Sequence, residues 1–217
     1  MPKKIKLIIF DLDGTLVDAY AAVAASFNHA LGSFGFPAQD DETIKRSVGW
    51  GDKILVSKFV PPEKVDQVLS VYRIHHRSAL KSGTKFLPGA KQLLGWLKEE
   101  GYKLAIATNR PSRFTHIILK HLDVASFFAS VVCADQVACP KPAPDCLERI
   151  LKTCRLSREE ALFVGDMTID IETGKNGGVR TVAVVSGSST EDELRNLQPS
   201  RIIHEISELQ QVLREMA

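Results

Sequence analysis

The aliphatic run Lys6-Leu7-Ile8-Ile9 stops abruptly in acid, at Phe10-Asp11-Leu12-Asp13-Gly14-Thr15. A short continuous apolar run reads as a parallel strand buried on both faces, and the acids mark where its C-terminal end opens. Residues two apart on a strand share a face, which places Asp11 and Asp13 side by side as the chain leaves the sheet. Two adjacent carboxylates repel, and keeping both charged in one place calls for a cation. Asp-Gly is also ordinary turn chemistry, so the pair alone leaves a site and a plain turn both open.

From Val17 to about Phe36 the pattern turns helical and Ala-rich, ending at Gly35 and Pro37. Further helices are expected from about Asp40 to Val48, from Asp52 to Phe59 and from Glu63 to about Lys81. Gly49-Trp50-Gly51 and Pro61-Pro62 separate them. No strand signal interrupts residues 17–84, which read as a small bundle of their own. After Leu87-Pro88-Gly89, helix and strand alternate. Helices are expected at about 90–100, 111–121, 144–154, 169–176 and 206–215. Strands are expected at 103–107, 130–133, 161–164, 181–185 and, weakly, 201–203. Ser157 and Glu160 stand at capping-box spacing but so close to the next strand that they read as a turn. Ser186 to Thr190 reads as a loop. The alternation predicts an α/β fold: a Rossmann-like parallel sheet with helices on both faces, plus an inserted α-helical domain. The expected division is 1–16 and 85–217 for the core and 17–84 for the insertion. Strands on both sides of the first would create a switch point, where ligands bind beyond the strand carboxyl ends.

Composition removes several functional classes. The 217 residues carry a net charge of +2 with no block of Lys and Arg, which gives no support for a nucleic-acid partner. Lys3, Lys4 and Lys6 precede an apolar run too short for a secretory signal, and no stretch approaches membrane-spanning length. Cys133, Cys139, Cys146 and Cys154 lack C-x-x-C or metal spacing and read as reduced thiols. The expectation is a cytoplasmic protein, monomer or homodimer, with no membrane partner.

Polar residues gather at the ends of the expected strands. Thr108 and Asn109 follow one strand, with Pro111 placed as the first helical residue, and the free N–H groups of that helix suit a phosphate. Lys141 lies in the stiff stretch Cys139-Pro140-Lys141-Pro142-Ala143-Pro144. Asp166 ends another strand, and Asp170 follows one helical turn later. Each has a plainer reading, as a helix cap, a solvated lysine or a turn, but all fall at strand ends of one sheet.

Taken together, these residues make the chain resemble the haloacid dehalogenase superfamily of phosphotransferases over nearly its whole length. Asp11-Leu12-Asp13-Gly14-Thr15-Leu16 looks like the first motif, Thr108-Asn109 the second, Lys141-Pro142 the third, and Gly165-Asp166 through Asp170 the fourth. The helical insertion matches the family's cap. Pro88-Gly89 and Thr108-Asn109-Arg110-Pro111 resemble the phosphoglycolate phosphatase-like branch most closely. The resemblance implies Asp11 as nucleophile forming an aspartyl-phosphate, and Asp13 as general acid and then base. It implies Mg²⁺ held by the Asp11 carboxylate, the Asp13 backbone carbonyl and Asp166. It also implies a transferring phosphate gripped by Thr108, the Asn109 backbone and Lys141, with Asp170 orienting Lys141 or a metal-bound water.

Asp13 disfavours dehalogenase and phosphonate-cleaving relatives, and Val23 stands where hexose-phosphate mutases place a cap His. Hydrolysis of a small phosphorylated metabolite is the implied function, with 2-phosphoglycolate first. The alternatives are an inorganic pyrophosphatase, a nucleotide or sugar phosphatase, or a non-catalytic phospho-ligand binding protein. Gly49-Trp50-Gly51 is the candidate substrate loop, although Trp50 reads equally as a core or interface aromatic. His75 and His76 are expected at the surface, and Arg46 and Lys53 as solvated charge. Gly174-Lys175-Asn176-Gly177 predicts a short or loose helix.

Overall fold

Alternating side chains along the strands set the architecture of the computed structural model, which describes residues 4–216; residues 1–3 (with Lys3) and 217 of the expected core segments lie outside it. The strand β1 (Leu7–Phe10) is buried along its whole length. It leads into a two-residue strand β2 (Val17–Asp18), then the helices α1 (Tyr20–Ser33), α2 (Asp41–Ser47), α3 (Asp52–Ser57) and α4 (Val65–Gly83). The short strand β3 (Lys85–Phe86) returns the chain, followed by α5 (Ala90–Glu99), β4 (Lys103–Thr108), α6 (Ser112–His121) and β5 (Ser130–Cys133). Next come α7 (Asp145–Cys154), β6 (Ala161–Gly165), α8 (Thr168–Gly177), β7 (Arg180–Val184) and α9 (Glu191–Asn196). Finally β8 (Arg201–Ile203) precedes α10 (Leu209–Glu215).

Six strands form one parallel sheet in the order β5-β4-β1-β6-β7-β8, so β1 is central and its neighbours lie on opposite sides of it. Period-two alternation sorts the side chains. Ile8, Phe10, Leu104, Ile106, Leu162 and Val164 pack with Leu93, Leu94 and Leu97 of α5, Phe114 and Ile118 of α6, and Leu209 and Leu213 of α10. Leu7, Ile9, Ala105, Ala107, Ala161 and Phe163 pack the other way, against Cys146, Leu147, Ile150 and Cys154 of α7. Burying both faces explains why these strands read as unbroken apolar runs, each large side chain contributing about 1.5–3 kcal/mol. The expected doubly covered parallel sheet is present.

Helices α1 to α4 close over a separate cluster of Val23, Phe27, Leu31, Ile44, Leu55, Val56, Val68, Leu69 and Tyr72. Each end of this block joins the rest through an antiparallel ribbon in which Val17 pairs with Phe86 and Asp18 with Lys85. The expectation of no strand from residue 17 onward is therefore corrected: two-residue strands carry too little periodicity to be seen, and only their partners define them.

Three other local expectations also change. Pro111 is the N-cap, one residue outside α6, with extended backbone. Helix α9 carries almost no apolar periodicity, since its six residues bury only Leu194, although Thr190 and Glu193 form a full capping box at its start. Helix α8 is not short: it runs ten residues, and Gly174 lets it lie close to the sheet, since a Cβ there would overlap Thr181 Oγ1 and reach within 3.0 Å of the Val179 carbonyl. Ser157 and Glu160 do form a capping box, on a single 3₁₀ turn at Arg158–Glu160. All four cysteines are free, with Cys139 exposed and the other three buried. Among the described residues, no helix is long and apolar enough to cross a membrane.

Candidate active site

Strand β1 ends by placing Asp11 at the carboxyl edge of the sheet, where its backbone N–H still bonds the Val164 carbonyl of the neighbouring strand at 2.8 Å. Gly14, at φ +84°, turns the chain sharply; a Cβ there would approach Asp166 Oδ2 to 2.5 Å. Thr15 then donates from Oγ1 to Asp166 Oδ1 at 2.9 Å, and the Ser188 N–H donates to Asp166 Oδ2 at 3.0 Å. Asp166 is thereby fixed by the first motif on one side and by the loop after β7 on the other.

Lys141 reaches this point from the loop before α7. Its backbone is held by Asn109: the side-chain amide accepts from Lys141 N at 3.0 Å and donates to Lys141 O at 3.1 Å. The same amide donates to Gly49 O at 3.1 Å. Lys141 Nζ donates to Asp11 Oδ1 and to Asp170 Oδ1, both at 2.6 Å, and Asp170 Oδ2 accepts from Met167 N at 3.0 Å. Thr108 and Asn109 are buried beside this group. The structure thus brings Asp11, Asp13, Thr108, Asn109, Lys141, Asp166 and Asp170 to one end of the sheet.

One oxygen from each of Asp11, Asp166 and Asp170 lies within 4.8 Å of the others. Burial is the main force on their titration. It pushes Asp11 up to about 7, with Lys141 pulling back and Asp170 and Asp13 pushing further. Asp166 is raised well above the carboxylate range by burial, then by the charges of Asp11 and Asp170. Burial pulls the Lys141 ammonium down, but Asp11 and Asp170 outweigh it and hold it above the ordinary lysine value. Three buried acids against one ammonium leave an excess of negative charge that oxygen-ligated hard cations neutralise, so the donor set fits a divalent metal. Asp170 stands both against Lys141 and within this carboxylate set.

Above these residues opens a cleft lined by both the sheet end and the helical block. Its helical side is walled by Tyr20, Val23, Val48, Leu55 and Tyr72, with Phe114 from α6, and carries one acid, Asp52. Gly49 and Gly51 line the cleft, at φ +96° and +99°, but Trp50 points elsewhere and is 40% exposed. Trp50 is neither a pocket residue nor a core aromatic, because the glycines that bring the backbone to the site turn the intervening side chain outward.

Several residues at the site carried no strong sequence signal. Arg110 forms a two-pronged pair with Asp13 at 2.7 Å on each prong, and Nη1 lies 2.8 Å from His76 Nε2. His76 is fully buried, correcting its expected surface placement; half-buried His75 stacks on His29. Arg46 is not merely solvated: it joins the helical block to the core through Glu193, at 2.6 and 3.0 Å, and through the Ser188 carbonyl. Lys53 pairs with exposed Asp66. Tyr20 and Ser188 also meet across this boundary, 3.0 Å apart. Arg110 was adjacent to a motif and Ser188 lay in the loop after β7, but neither position has a chemistry that spacing alone reveals.

Residues 8–184 match the family model described as haloacid dehalogenase-like hydrolase. The chain belongs to the haloacid dehalogenase-like hydrolases. A phosphoglycolate phosphatase of Vibrio cholerae is 30% identical over 221 residues, covering 97% of this chain and 98% of the relative. Phosphoglycolate phosphatase 1 of Pseudomonas aeruginosa is 29% identical, covering 94% of this chain and 78% of its own. A solved structure of a haloacid dehalogenase-like family hydrolase from Streptococcus pneumoniae superposes with a TM-score of 0.88 at 25% identity, covering 96% and 98% of the two chains. A predicted phosphoglycolate phosphatase from Haemophilus somnus gives 0.91 at 24% identity over 97% and 98%, a likeness of fold. Family and relatives make this haloacid dehalogenase-like protein an enzyme of the phosphoric monoester hydrolase class.

Proposed function

We propose that the chain is a Mg²⁺-dependent phosphatase that cleaves small phosphate monoesters through an aspartyl-phosphate on Asp11, with 2-phosphoglycolate as its first candidate substrate. The observation that carries this reading is the buried cluster in which Asp11 meets Lys141 beside Asp166 and Asp170. Asp11 Oδ attacks phosphorus, and the P–O bond to the alcohol breaks with its electron pair leaving on oxygen. Asp13 gives that oxygen a proton, then takes one from the water that cleaves the phospho-aspartate and frees Asp11 and phosphate. Lys141, Thr108 and the Asn109 backbone hold the transferring oxygens, where charge stabilisation matters most. Asp170 keeps Lys141 pointed at the nucleophile. Asp11, the Asp13 carbonyl and Asp166 would hold Mg²⁺, which lowers the repulsion between an anionic nucleophile and a phosphate dianion. The helical block acts as the cap that encloses the leaving group and excludes water.

The named activity of the relatives supports 2-phosphoglycolate. The cap wall argues against pyrophosphate, whose leaving group is itself a multiply charged anion, because the helical block lends the cleft the acid Asp52 and no cation. Both lining cations are already paired, Lys141 with Asp11 and Asp170 and Arg110 with Asp13. A panel of phosphorylated metabolites and pyrophosphate, ranked by kcat/KM with Mg²⁺ and with chelator, tests the reading. Metal-dependent release with 2-phosphoglycolate at or near the top is expected. A ranking led by hexose phosphates, nucleotides or pyrophosphate would replace the substrate, and no release at all would replace the activity.

A further inference from the structure

Asp13, the group assigned to acid–base chemistry, is tied to the helical cap through a directed chain of hydrogen bonds. Arg110 Nε and Nη2 donate to the two oxygens of Asp13, and Nη1 donates to Nε2 of His76, on α4. A guanidinium only donates, so Nε2 must carry the lone pair and Nδ1 the proton. Nδ1 then donates to Ser26 Oγ at 3.2 Å, and the Ser26 hydroxyl donates to the Ala22 carbonyl at 2.7 Å. Arg110, His76 and Ser26 thus link Asp13 to the α1 backbone, and His75 Nδ1 also lies 3.2 Å from the Ser26 hydroxyl.

The imidazole is also fixed in space. It stacks on Tyr72 at 4.8 Å and takes the edge of Phe114 at 5.0 Å. The Arg110 side chain is 9% exposed, so its third prong has little water to turn to if His76 is removed. Burial, then the neighbouring Arg110, push the His76 pKa down to about 2, and the ring stays a neutral acceptor at any working pH.

We propose that His76 is a positioning residue: from the cap it fixes the Arg110 guanidinium, and through it the Asp13 carboxylate, so that acid–base geometry depends on the cap being seated. The proposal rests on the reading of Asp13 as acid and base. Packing alone would be served by any ring of this size; the acceptor nitrogen aimed at Arg110 is what a phenyl ring lacks.

The test compares wild type, His76→Phe and His76→Gln in single turnovers, with Mg²⁺, on an alkyl phosphate and on p-nitrophenyl phosphate. An alkoxide needs its proton as it leaves, whereas p-nitrophenolate departs without help, so loss of acid geometry separates the two. His76→Phe is expected to slow the alkyl ester about tenfold more than the aryl ester with little change in KM, and His76→Gln, which retains an acceptor, to recover most of the difference. Equal losses on both esters, no loss, or a Gln variant as selective in its defect as the Phe variant would overturn the proposal. If the Phe variant fails to fold, Ser26→Ala removes the hydroxyl that accepts from Nδ1 and anchors the ring; a smaller loss selective for the alkyl ester supports the chain, and no loss or an equal loss on both refutes it. A wild type inactive on both esters would instead sink the phosphatase reading.

Discussion

Lys141 and Asp11, 130 residues apart in sequence, meet at 2.6 Å with the ammonium 3% and the carboxylate 10% exposed. The same ammonium holds Asp170 at 2.6 Å, so a single buried cation answers two acids. Removing one member of such a group leaves the others uncompensated, which costs more than the set as a whole contributes.

Lys141→Met should therefore destabilise the fold by about 3–5 kcal/mol, because Asp11 and Asp170 lose their partner. The double variant Lys141→Met with Asp170→Asn should recover part of that stability and none of the activity. Urea unfolding and phosphate release on the same samples check both halves.

Asp11→Asn retains the shape of the side chain and removes its nucleophilicity. Turnover of p-nitrophenyl phosphate should fall by on the order of 10³-fold or more while the circular dichroism spectrum is unchanged. Near-normal hydrolysis would mean that Asp11 is not the attacking group.

Metal and pH act on the same carboxylates. Burial, the largest influence, pushes the Asp11 carboxyl up from 3.8 to about 7 in the folded chain. Its contribution to stability is present below the unfolded value and is lost as pH rises through the folded one, from about 4 to 7. His76 runs in the opposite sense, lowered from 6.5 to about 2, and takes stability away as pH falls below 6.5. His76 is not a candidate ligand, so the difference in Tm between Mg²⁺-loaded and chelated protein isolates the acids. That difference should be about 2–5 °C at pH 7.5 and shrink toward pH 5, as protons displace the cation. A difference that grew on acidification would exclude carboxylate ligation.

The backbone of the loop 49–51, rather than its aromatic, lines the cleft. Gly49→Ala should lower kcat/KM at least about tenfold, since a Cβ would overlap Met167 Sδ at a φ of +96°. Trp50→Ala should alter kcat/KM less than about threefold, as expected for an exposed side chain. Steady-state kinetics on the best substrate separates the two positions.

Much of the fold was legible because its signals are local. The central strands β1, β4 and β6 carry apolar runs of four or more residues, helices such as α5, α6 and α7 a 3.6-residue stripe, and the acids and Thr108 fall at strand ends. Signals that need a partner were not legible. Val17–Asp18 becomes a strand only against Lys85–Phe86, and Gly174 reads as a weak point until the sheet beneath it is seen.

The amino-acid sequence by itself determined the parallel sheet, the inserted helices and the residues that meet at the sheet's carboxyl edge, because strand periodicity and strand-end position are properties of neighbouring residues. Only the tertiary structure decided that His76 is buried, that Arg110 grips Asp13, and that Trp50 faces away from the cleft. These depend on where the cap helices land on the core. That placement is set by the summed packing of residues far apart in the chain, and no short stretch encodes it.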